Sequence, residues 1–183
     1  EKIVFYVGSI VREKGIQVLI QSIPEILHQQ PSTKFVIAGK GAFLDNLKSQ
    51  AKFLGVEDRI YFTGFISDEE RNRLYKLADV AVFPSFYEPF GIVALEAMIT
   101  KTPVVVSDVG GLSEFVKEGK NGFVVNPNNP HDLANKILYI FNNEKKANKI
   151  ARTGYNLVKK NFNWDKIASH TVDVYQNVLE EYY

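Results

Sequence analysis

The segment VAVFPSFYEPFGIVALEAM, residues 80–98, contains three successive patterns that form one structural unit. It begins with the apolar run Val80–Phe83, which is typical of a buried strand. A loop follows, in which Pro89 favours an extended backbone at Glu88, so Glu88 belongs to the loop. A helix starting near Gly91 is apolar on every side except for one carboxylate, which predicts a buried helix. The segment therefore predicts a strand, a loop and a helix, in that order.

The same alternation of strand-like and helical patterns extends in both directions from this segment. Between the first two strand-like runs, Ile16, Leu19, Ile20 and Ile23 recur at the spacing of one helix face. Strand, helix and strand at this spacing predict βαβ units and a mainly parallel sheet with helices on both faces. The predicted fold class is therefore α/β and Rossmann-like. The predicted strands are Ile3–Val7, Lys34–Ala38, Ile60–Phe62, Val80–Phe83, Pro103–Ser107 and Phe123–Val125.

After the last predicted strand, the pattern changes to helices alone. Asn129 followed by a proline predicts a capped helix start. A second helix is predicted over about Glu144–Lys160, and Asn163 is the predicted cap of a third. Because the sequence shows no internal repeat and no low-complexity linker, we expect residues 1–183 to form a single domain with a helical C-terminal tail.

The composition is that of an ordinary globular protein and excludes several classes of function. Hydrophobic residues make up 45% of the chain and charged residues 23%, while the net charge of +1 gives no electrostatic basis for binding nucleic acid. Cysteine is absent, which excludes disulfides, thiolate metal sites and a cysteine nucleophile. No apolar run has the roughly 18 residues that a membrane-spanning helix needs. A cysteine-free chain fits a reducing compartment, and we expect a cytoplasmic protein.

Glycine-containing loops follow one predicted strand after another. Ligands of open parallel sheets bind beyond the carboxyl ends of the strands, where these loops lie. Glycine lets backbone N–H groups approach a ligand, and three of the loops lead directly into helices, whose N-termini attract phosphate. The alternative is that the glycines only form tight turns. The loops are Gly8–Gly15, Gly39–Gly41, Gly64-Phe65, Ser85–Gly91 and Gly110-Gly111.

Two common phosphate-binding motifs do not fit this sequence. There is no Walker-type G-x-x-x-x-G-K-[ST], which argues against a P-loop triphosphatase. The run from Gly39 to Leu44 resembles the dinucleotide motif G-x-G-x-x-G but ends in leucine. Asp58 lies before the third strand rather than at the end of a strand, where a ribose-binding acid is needed. A nicotinamide-binding oxidoreductase is therefore a less favoured hypothesis, and it ranks third behind the two classes of function described below.

Glu88, Glu96 and Lys14 are the charged residues that point most clearly to a ligand. Seven residues separate the two glutamates, and Glu96 is the polar residue of an otherwise apolar helix. A buried carboxylate needs a partner. That partner is either a lysine elsewhere in the chain or a ligand diol, such as the 2′- and 3′-hydroxyls of a ribose. Lys14, just before the first predicted helix, would supply the positive charge that a diphosphate needs.

Taken together, these segments resemble glycosyltransferase family 4, whose members have the GT-B fold and include glycogen synthases. The most specific part of the resemblance is the stretch from Pro84 to Met98 with its E-x7-E motif. Further matching segments are the loop Gly8–Gly15, the run Pro103–Val105 with Gly110–Leu112, Asn121–Phe123, and the closing helix after Trp164. The resemblance covers the whole chain and identifies it as the C-terminal half, which binds a nucleotide sugar.

The resemblance also implies a role for individual residues. Lys14 would bind the donor diphosphate, Glu88 would hold hydroxyls of the transferred sugar, and Glu96 would hold the ribose; Lys14 and Glu88 are the predicted catalytic residues. The family usually has arginine after the first glycine of the first loop, where this chain has Ser9, so one diphosphate contact is lost. The remaining donor-binding candidates are Gly8, Ser9, Gly39, Gly41, Phe65, Ile66, Phe90, Gly91 and Ile92.

The activity that the resemblance implies is transfer of a hexosyl group with retention of configuration and without a metal or other cofactor. A glucosyltransferase of the glycogen-synthase type, using UDP-glucose or ADP-glucose, is the first specific hypothesis. The alternatives are a mannosyltransferase or other glycan-assembly enzyme, and a non-catalytic module that binds nucleotide sugars. Because the chain opens almost directly on a strand, we expect that it is cut from a longer protein. The glycan acceptor would bind through an N-terminal domain absent from this chain, so the isolated domain is expected to be inactive.

Overall fold

A computed structural model describes residues 1–182 of the chain. Its six strands form one sheet in the order β3-β2-β1-β4-β5-β6, and every pairing between neighbours is parallel. The predicted α/β class and parallel sheet are therefore confirmed. The strands are β1 Ile3–Val7, β2 Lys34–Ala38, β3 Ile60–Gly64, β4 Val80–Phe83, β5 Val104–Ser107 and β6 Phe123–Val125.

Helices connect these strands and form the predicted C-terminal tail. Two short 3₁₀ helices cover Arg12–Lys14 and Glu57–Arg59. The α-helices are α1 Ile16–Gln29, α2 Leu44–Phe53, α3 Asp68–Leu77, α4 Ile92–Ile99, α5 Leu112–Phe115, α6 Pro130–Asn142, α7 Glu144–Asn161 and α8 Trp164–Tyr182.

The sheet is buried because helices cover both of its faces. Val4 and Tyr6 of β1 point into a core that they share with α1, α2 and α6. Phe5, which lies between them, points into a second core built with α3, α4 and α5. Side chains that alternate between two covered faces explain why the strands are runs of apolar residues rather than alternating patterns.

Two of the predicted helix caps are present at the side-chain level. The side chain of Asn129 accepts a hydrogen bond from the backbone N–H of Asp132, 3.0 Å away, and Pro130 follows at the first helical position. The side chain of Asn163 accepts a bond from the N–H of Lys166 at 3.0 Å. Each cap satisfies a backbone donor that the first turn of a helix leaves unpaired.

The prediction that α4 is buried on every side is wrong. Ile92 is 63% exposed and Ile99 is 41% exposed, because the two ends of this short helix reach the surface. In α3, the apolar residue Leu77 is exposed. The buried residue of α3 is instead Tyr75, whose ring packs edge-on against Phe5 with centroids 5.2 Å apart. Neither helix could be assigned its buried face from the apolar residues alone.

Candidate functional site

The strand order places two of the predicted loops side by side. β1 pairs with β2 on one side and with β4 on the other, so the chain reverses its direction of progress across the sheet at β1. Ligands of doubly wound sheets bind at such a switch point. The loops after β1 and β4 meet there, and the N–H of Phe86 donates to the carbonyl of Glu13 at 2.7 Å.

Lys14 and Glu88 form an ion pair across these two loops. The Nζ atom of Lys14 lies 2.7 Å from Oε2 of Glu88, and the Glu88 side chain is only 11% exposed. A buried carboxylate is stable only with a partner, and Lys14 is that partner in the structure. The structure therefore brings together the two residues that the sequence predicts to be catalytic.

A cleft of about 320 Å³ opens beside this ion pair. The helix α4 begins at its wall after Gly91, whose φ of 96° lies in the left-handed region. No side chain caps that N-terminus, so the first N–H groups of α4 keep the partial positive charge that attracts anions. Among the residues that line the cleft are Gly8, Ser9, Lys14, Ser85, Glu88, Phe90, Gly91 and Ile92.

A second cleft of about 270 Å³ adjoins the first and shares Gly8 and Ser9 with it. It extends along the sheet edge towards the ends of β2 and β3. Phe65, which is 77% exposed, offers a ring face at its border. The cleft is lined by Val7, Gly8, Ser9, Gly39, Lys40, Phe65, Ile66 and Arg71. Most of the predicted donor-binding residues thus line one of two adjoining clefts.

Glu96 and Gly41 are the predicted site residues that line neither cleft. Glu96 lies behind the second cleft, where Nε of Arg71 is 3.2 Å from its Oε2 atom. The geometry of this contact does not meet the requirements of a hydrogen bond, so it is an ion pair without a directional bond. The alternative partner expected from the sequence was a lysine, and the observed partner is an arginine.

Burial raises the pKa of Glu96 above its ordinary value, and the nearby Asp68 carboxylate adds to the increase. Arg71 and the hydroxyl of Tyr75 act in the opposite direction. That hydroxyl donates to the carbonyl of Val93 at 3.0 Å and lies 3.4 Å from Oε2 of Glu96. The carboxylate is therefore held between a cation and a hydroxyl at the back of the site.

The glycine-rich loops pack against one another more closely than the sequence indicated. A Cβ atom on Gly39 would lie 1.8 Å from the carbonyl oxygen of Gly8, and one on Gly41 would lie 2.1 Å from that of Ile10. The N–H of Gly8 donates to Ala38, and the N–H of Gly39 donates to Gly64. These contacts favour the alternative that the two glycines only form tight turns, because the N–H groups of Gly8 and Gly39 already donate to backbone carbonyls.

Ser9 lies at the junction of the two clefts and is exposed. Its carbonyl accepts a hydrogen bond from the hydroxyl of Tyr6 at 3.1 Å, which anchors the loop from below. Burial raises the pKa of Tyr6 well above its ordinary value, and the charge of Glu88 adds to the increase. Arg12, a few residues further along the same loop, lines neither cleft.

Sequence reasoning missed Arg71, Tyr75 and Lys40. Arg71 lies in a strongly polar helix, where an arginine resembles ordinary surface charge. The signal that could have found it is position, because the N-terminus of α3 follows β3 and so faces the same edge of the sheet as the other loops. Its partner Glu96 is on a different helix, and no spacing along the chain connects the two.

Histidine and acidic side chains do not gather into a metal site in the part of the chain that the structure describes. His28, His131 and His170 are exposed. No helix between residues 1 and 182 combines the length and the apolar character needed to cross a bilayer.

Comparisons with known proteins show the family to which this chain belongs. The family of glycosyl transferases group 1 matches residues 1–157. The chain is 44% identical to an uncharacterized glycosyltransferase of Methanocaldococcus jannaschii, over 98% of the chain and 46% of the relative. It is 36% identical to a glycogen synthase of Mycobacterium tuberculosis, over 93% of the chain and 41% of the relative.

A solved structure supports the same assignment. The protein HepE of Anabaena, crystallised with UDP-glucose, superimposes with a TM-score of 0.88 and is 28% identical, covering 96% of this chain and 48% of that protein. The chain thus spans about half the length of the relatives that it matches. With the family matched over most of its residues and the switch-point site in place, the chain belongs to the glycosyl transferases group 1 family.

Proposed function

We propose that this chain is the donor-binding half of a retaining glycosyltransferase that moves a glucosyl group from a nucleoside diphosphate sugar to a glycan acceptor. The observation that carries the proposal is the Lys14–Glu88 pair, which lies beside a cleft at the switch point of the sheet. Family membership supplies the class of reaction, and the HepE structure supplies a relative that was crystallised with UDP-glucose.

The proposed chemistry follows from the charges around the first cleft. Departure of the nucleoside diphosphate develops negative charge on its terminal phosphate. Lys14 and the uncapped N-terminus of α4 would stabilise that charge, because preorganised positive groups act most strongly where charge develops. We assign the leaving diphosphate to these groups, and the proposed reaction uses neither a metal nor another cofactor.

The two glutamates would recognise different parts of the donor. Glu88 lines the first cleft, and we assign its carboxylate to hydroxyls of the transferred sugar. Lys14 currently occupies one Glu88 oxygen, and an arriving diphosphate would draw the ammonium towards itself and release that oxygen. Glu96 lies behind the second cleft, and we assign it to the ribose, with Phe65 and Ile66 beside the base.

The acceptor and the rest of the catalytic cleft belong to a second half, which we propose from the length of the relatives. The chain covers 46% and 41% of the two relatives described above. A glycan acceptor would bind to that other half and close the cleft over the donor, excluding water. We place the protein in the cytoplasm.

The glucosyl donor is favoured by the glycogen synthase relative, which is 36% identical over 93% of this chain. A mannosyl donor is the alternative, since one carboxylate can accept bonds from the hydroxyls of either sugar. Calorimetric titration of the chain with UDP-, ADP- and GDP-glucose, and with GDP-mannose, would test the assignment. We expect one glucose conjugate to bind most tightly. Tightest binding of GDP-mannose would contradict the glucosyl assignment, and no binding of any conjugate would contradict the donor site itself.

A further inference from the structure

Arg71 is a cation at the donor site that none of the roles proposed above uses. It lies in the first half of α3, and its side chain is 26% exposed at the wall of the second cleft. Its Nη1 atom is 3.2 Å from Oδ1 of Asp68, and its Nε atom is 3.2 Å from Oε2 of Glu96. The guanidinium therefore connects the wall of the cleft to the carboxylate behind it.

The contacts of Glu96 are distributed unequally between its two oxygens. Arg71 and the Tyr75 hydroxyl both approach Oε2, at 3.2 and 3.4 Å. Within residues 1–182 neither of these contacts uses Oε1. A carboxylate that is held through one oxygen can present the other in a fixed direction, and fixing a recognition group in advance lowers the entropy cost of binding.

We propose that Arg71 is a positioning residue for the donor ribose: it holds Oε2 of Glu96 so that Oε1 accepts hydrogen bonds from the ribose hydroxyls. The inference rests on the proposed role of Glu96 and extends it to a residue that touches the ribose only through that glutamate. A guanidinium suits this task, because it keeps its charge at every relevant pH and so maintains the ion pair with Oε2.

The competing explanation is that Arg71 contacts the nucleotide itself. Arg71 lines the second cleft together with Lys40 and with Phe65, beside which we propose that the base lies. The two explanations differ in a measurable way. A positioning residue loses its effect once Glu96 has been replaced, whereas a residue that binds the nucleotide directly keeps it.

The test compares UDP with 2′-deoxy-UDP by calorimetric titration of the full 183-residue chain. If UDP binding is too weak to measure, the same comparison uses ADP or GDP and the matching 2′-deoxy nucleotide. The ratio of the two affinities reports recognition of the 2′-hydroxyl. Because both nucleotides carry the same charge, a change in the charge of the protein affects both affinities alike and cancels in the ratio. We expect the wild-type chain to prefer UDP by on the order of tenfold, as a hydrogen bond to a charged group would give. Thermal unfolding of every variant shows whether it is folded.

Arg71→Met and Glu96→Gln should each lower this ratio to near one. Arg71→Lys should restore part of it, since the charge returns on a side chain of different length and shape. Arg73→Met is the matched control, because Arg73 lies on the same helix, is 72% exposed and pairs with Glu69. It should leave the ratio unchanged. The double variant of Arg71→Met and Glu96→Gln should bind UDP as weakly as Glu96→Gln alone.

Three results would overturn part of this account, and they are distinguishable. If Glu96→Gln keeps the UDP preference of the wild-type chain, Glu96 does not recognise the ribose, and Arg71 does not position it for that purpose. Loss of the ratio in Glu96→Gln but not in Arg71→Met would leave the ribose role intact and refute the positioning role. A double variant several-fold weaker for UDP than Glu96→Gln would show that Arg71 contacts the nucleotide directly.

Discussion

At the scale of single residues, the two opposite charges at the first cleft pair with each other. Lys14 and Glu88, which we assign to different parts of the donor, are 2.7 Å apart and pair with each other. The pair keeps the nearly buried Glu88 carboxylate from being left without a partner. A substitution at either position therefore changes the contact to the donor and also removes the ion-pair partner of the other residue.

Replacing Lys14 with alanine should weaken binding of UDP and leave binding of uridine unchanged. The lost contact is a charge-assisted bond to the diphosphate, worth roughly 1.5–3 kcal/mol. Calorimetry with both ligands measures the difference. The double variant with Glu88→Gln is the control, because it removes the carboxylate that Lys14→Ala leaves unpaired. Equal losses for UDP and uridine would show that Lys14 is structural.

The two glutamates should differ in which ligand they affect. Glu96→Gln should weaken UDP and UDP-glucose alike, by roughly 1–3 kcal/mol, because both ligands contain the ribose. Glu88→Gln should weaken only UDP-glucose, since UDP lacks the sugar that Glu88 recognises. Titration of both variants with both ligands decides the matter. The assignment fails if the two substitutions cost the same affinity for bare UDP.

Glu96 should also make the stability of the fold depend on pH. Burial raises the pKa of Glu96 in the folded state above its ordinary value of 4.5, so the folded chain binds this proton more tightly than the unfolded chain. Ionisation of Glu96 therefore opposes folding, and the penalty develops as the pH rises from 4.5 through the raised pKa.

Glu96→Gln should consequently gain stability relative to the wild-type chain between pH 4 and pH 7. The raised pKa already includes the opposing effect of Arg71, so the change in relative stability with pH reports the ionisation of Glu96. Urea unfolding at the two pH values provides the measurement. The measured quantity is the free energy of unfolding of Glu96→Gln minus that of the wild-type chain. A value that stays constant or decreases from pH 4 to pH 7 would contradict the expected direction.

At the scale of elements, sequence patterns predicted the bounds of most strands but not which faces of the helices are buried. The bounds of β1, β2, β4 and β6 were correct, because strands covered on both faces are continuous apolar runs that turn residues interrupt. The exposure of Ile92 and the burial of Tyr75 depend on how α4 and α3 are rotated against the sheet. That rotation is set by packing between elements distant in sequence.

The same distinction holds at the site. Lys14 and Glu88 could be predicted because each follows a strand whose end lies at the ligand edge. The ion pair between them could not, because it depends on β1 and β4 being neighbours. Arg71 and Glu96 are likewise connected only through the packing of two helices, and the arginine carries no pattern that separates it from surface charge.

Gly15 connects the first loop to α1 and tests how the loops depend on close packing. Its φ of 67° favours glycine, and an added Cβ would lie 1.8 Å from the carbonyl oxygen of Pro84. Gly15→Ala should therefore destabilise the fold by roughly 2–4 kcal/mol, through backbone strain and a clash with the loop that carries Glu88.

Gly55→Ala is the matched control for this substitution. Its φ of 65° is nearly the same, but nothing lies within 4 Å of the added Cβ atom. Only the backbone strain of about 1–2 kcal/mol should remain. Urea unfolding of both variants measures the difference. Equal destabilisation of the two variants would mean that the loops after β1 and β4 adjust freely to each other. Their packing would then not fix the positions of Lys14 and Glu88.

At the scale of the whole molecule, α8 is the most exposed of the α-helices in the described structure. None of its residues is buried, and Trp164, Tyr175 and Leu179 are 84%, 66% and 58% exposed. Exposed apolar surface of this extent marks a site of contact with another protein segment. The second half proposed above would cover this face of α8.

We expect the 183-residue chain to bind a donor weakly and to transfer no sugar. It forms one wall of the cleft, so the phosphates stay near water, where ionic contacts are weak. The missing arginine at Ser9 weakens them further, and we expect a dissociation constant on the order of 0.1–1 mM. The test incubates radiolabelled donor and an oligosaccharide acceptor with this chain and, in parallel, with a chain that also carries the proposed second half. Comparable transfer rates would contradict it.

The central claim is that the adjoining clefts at the switch point bind a nucleotide sugar. Titrating the isotopically labelled chain with UDP-glucose and following its backbone amide resonances tests this most directly, because each resonance reports one position. The account predicts that the shifts concentrate in Gly8–Gly15, Gly39-Lys40, Phe65–Arg71 and Glu88–Glu96. Shifts that instead cluster around Lys2, Lys76 and Lys101, in the groove that these residues line with Asp79, would contradict it.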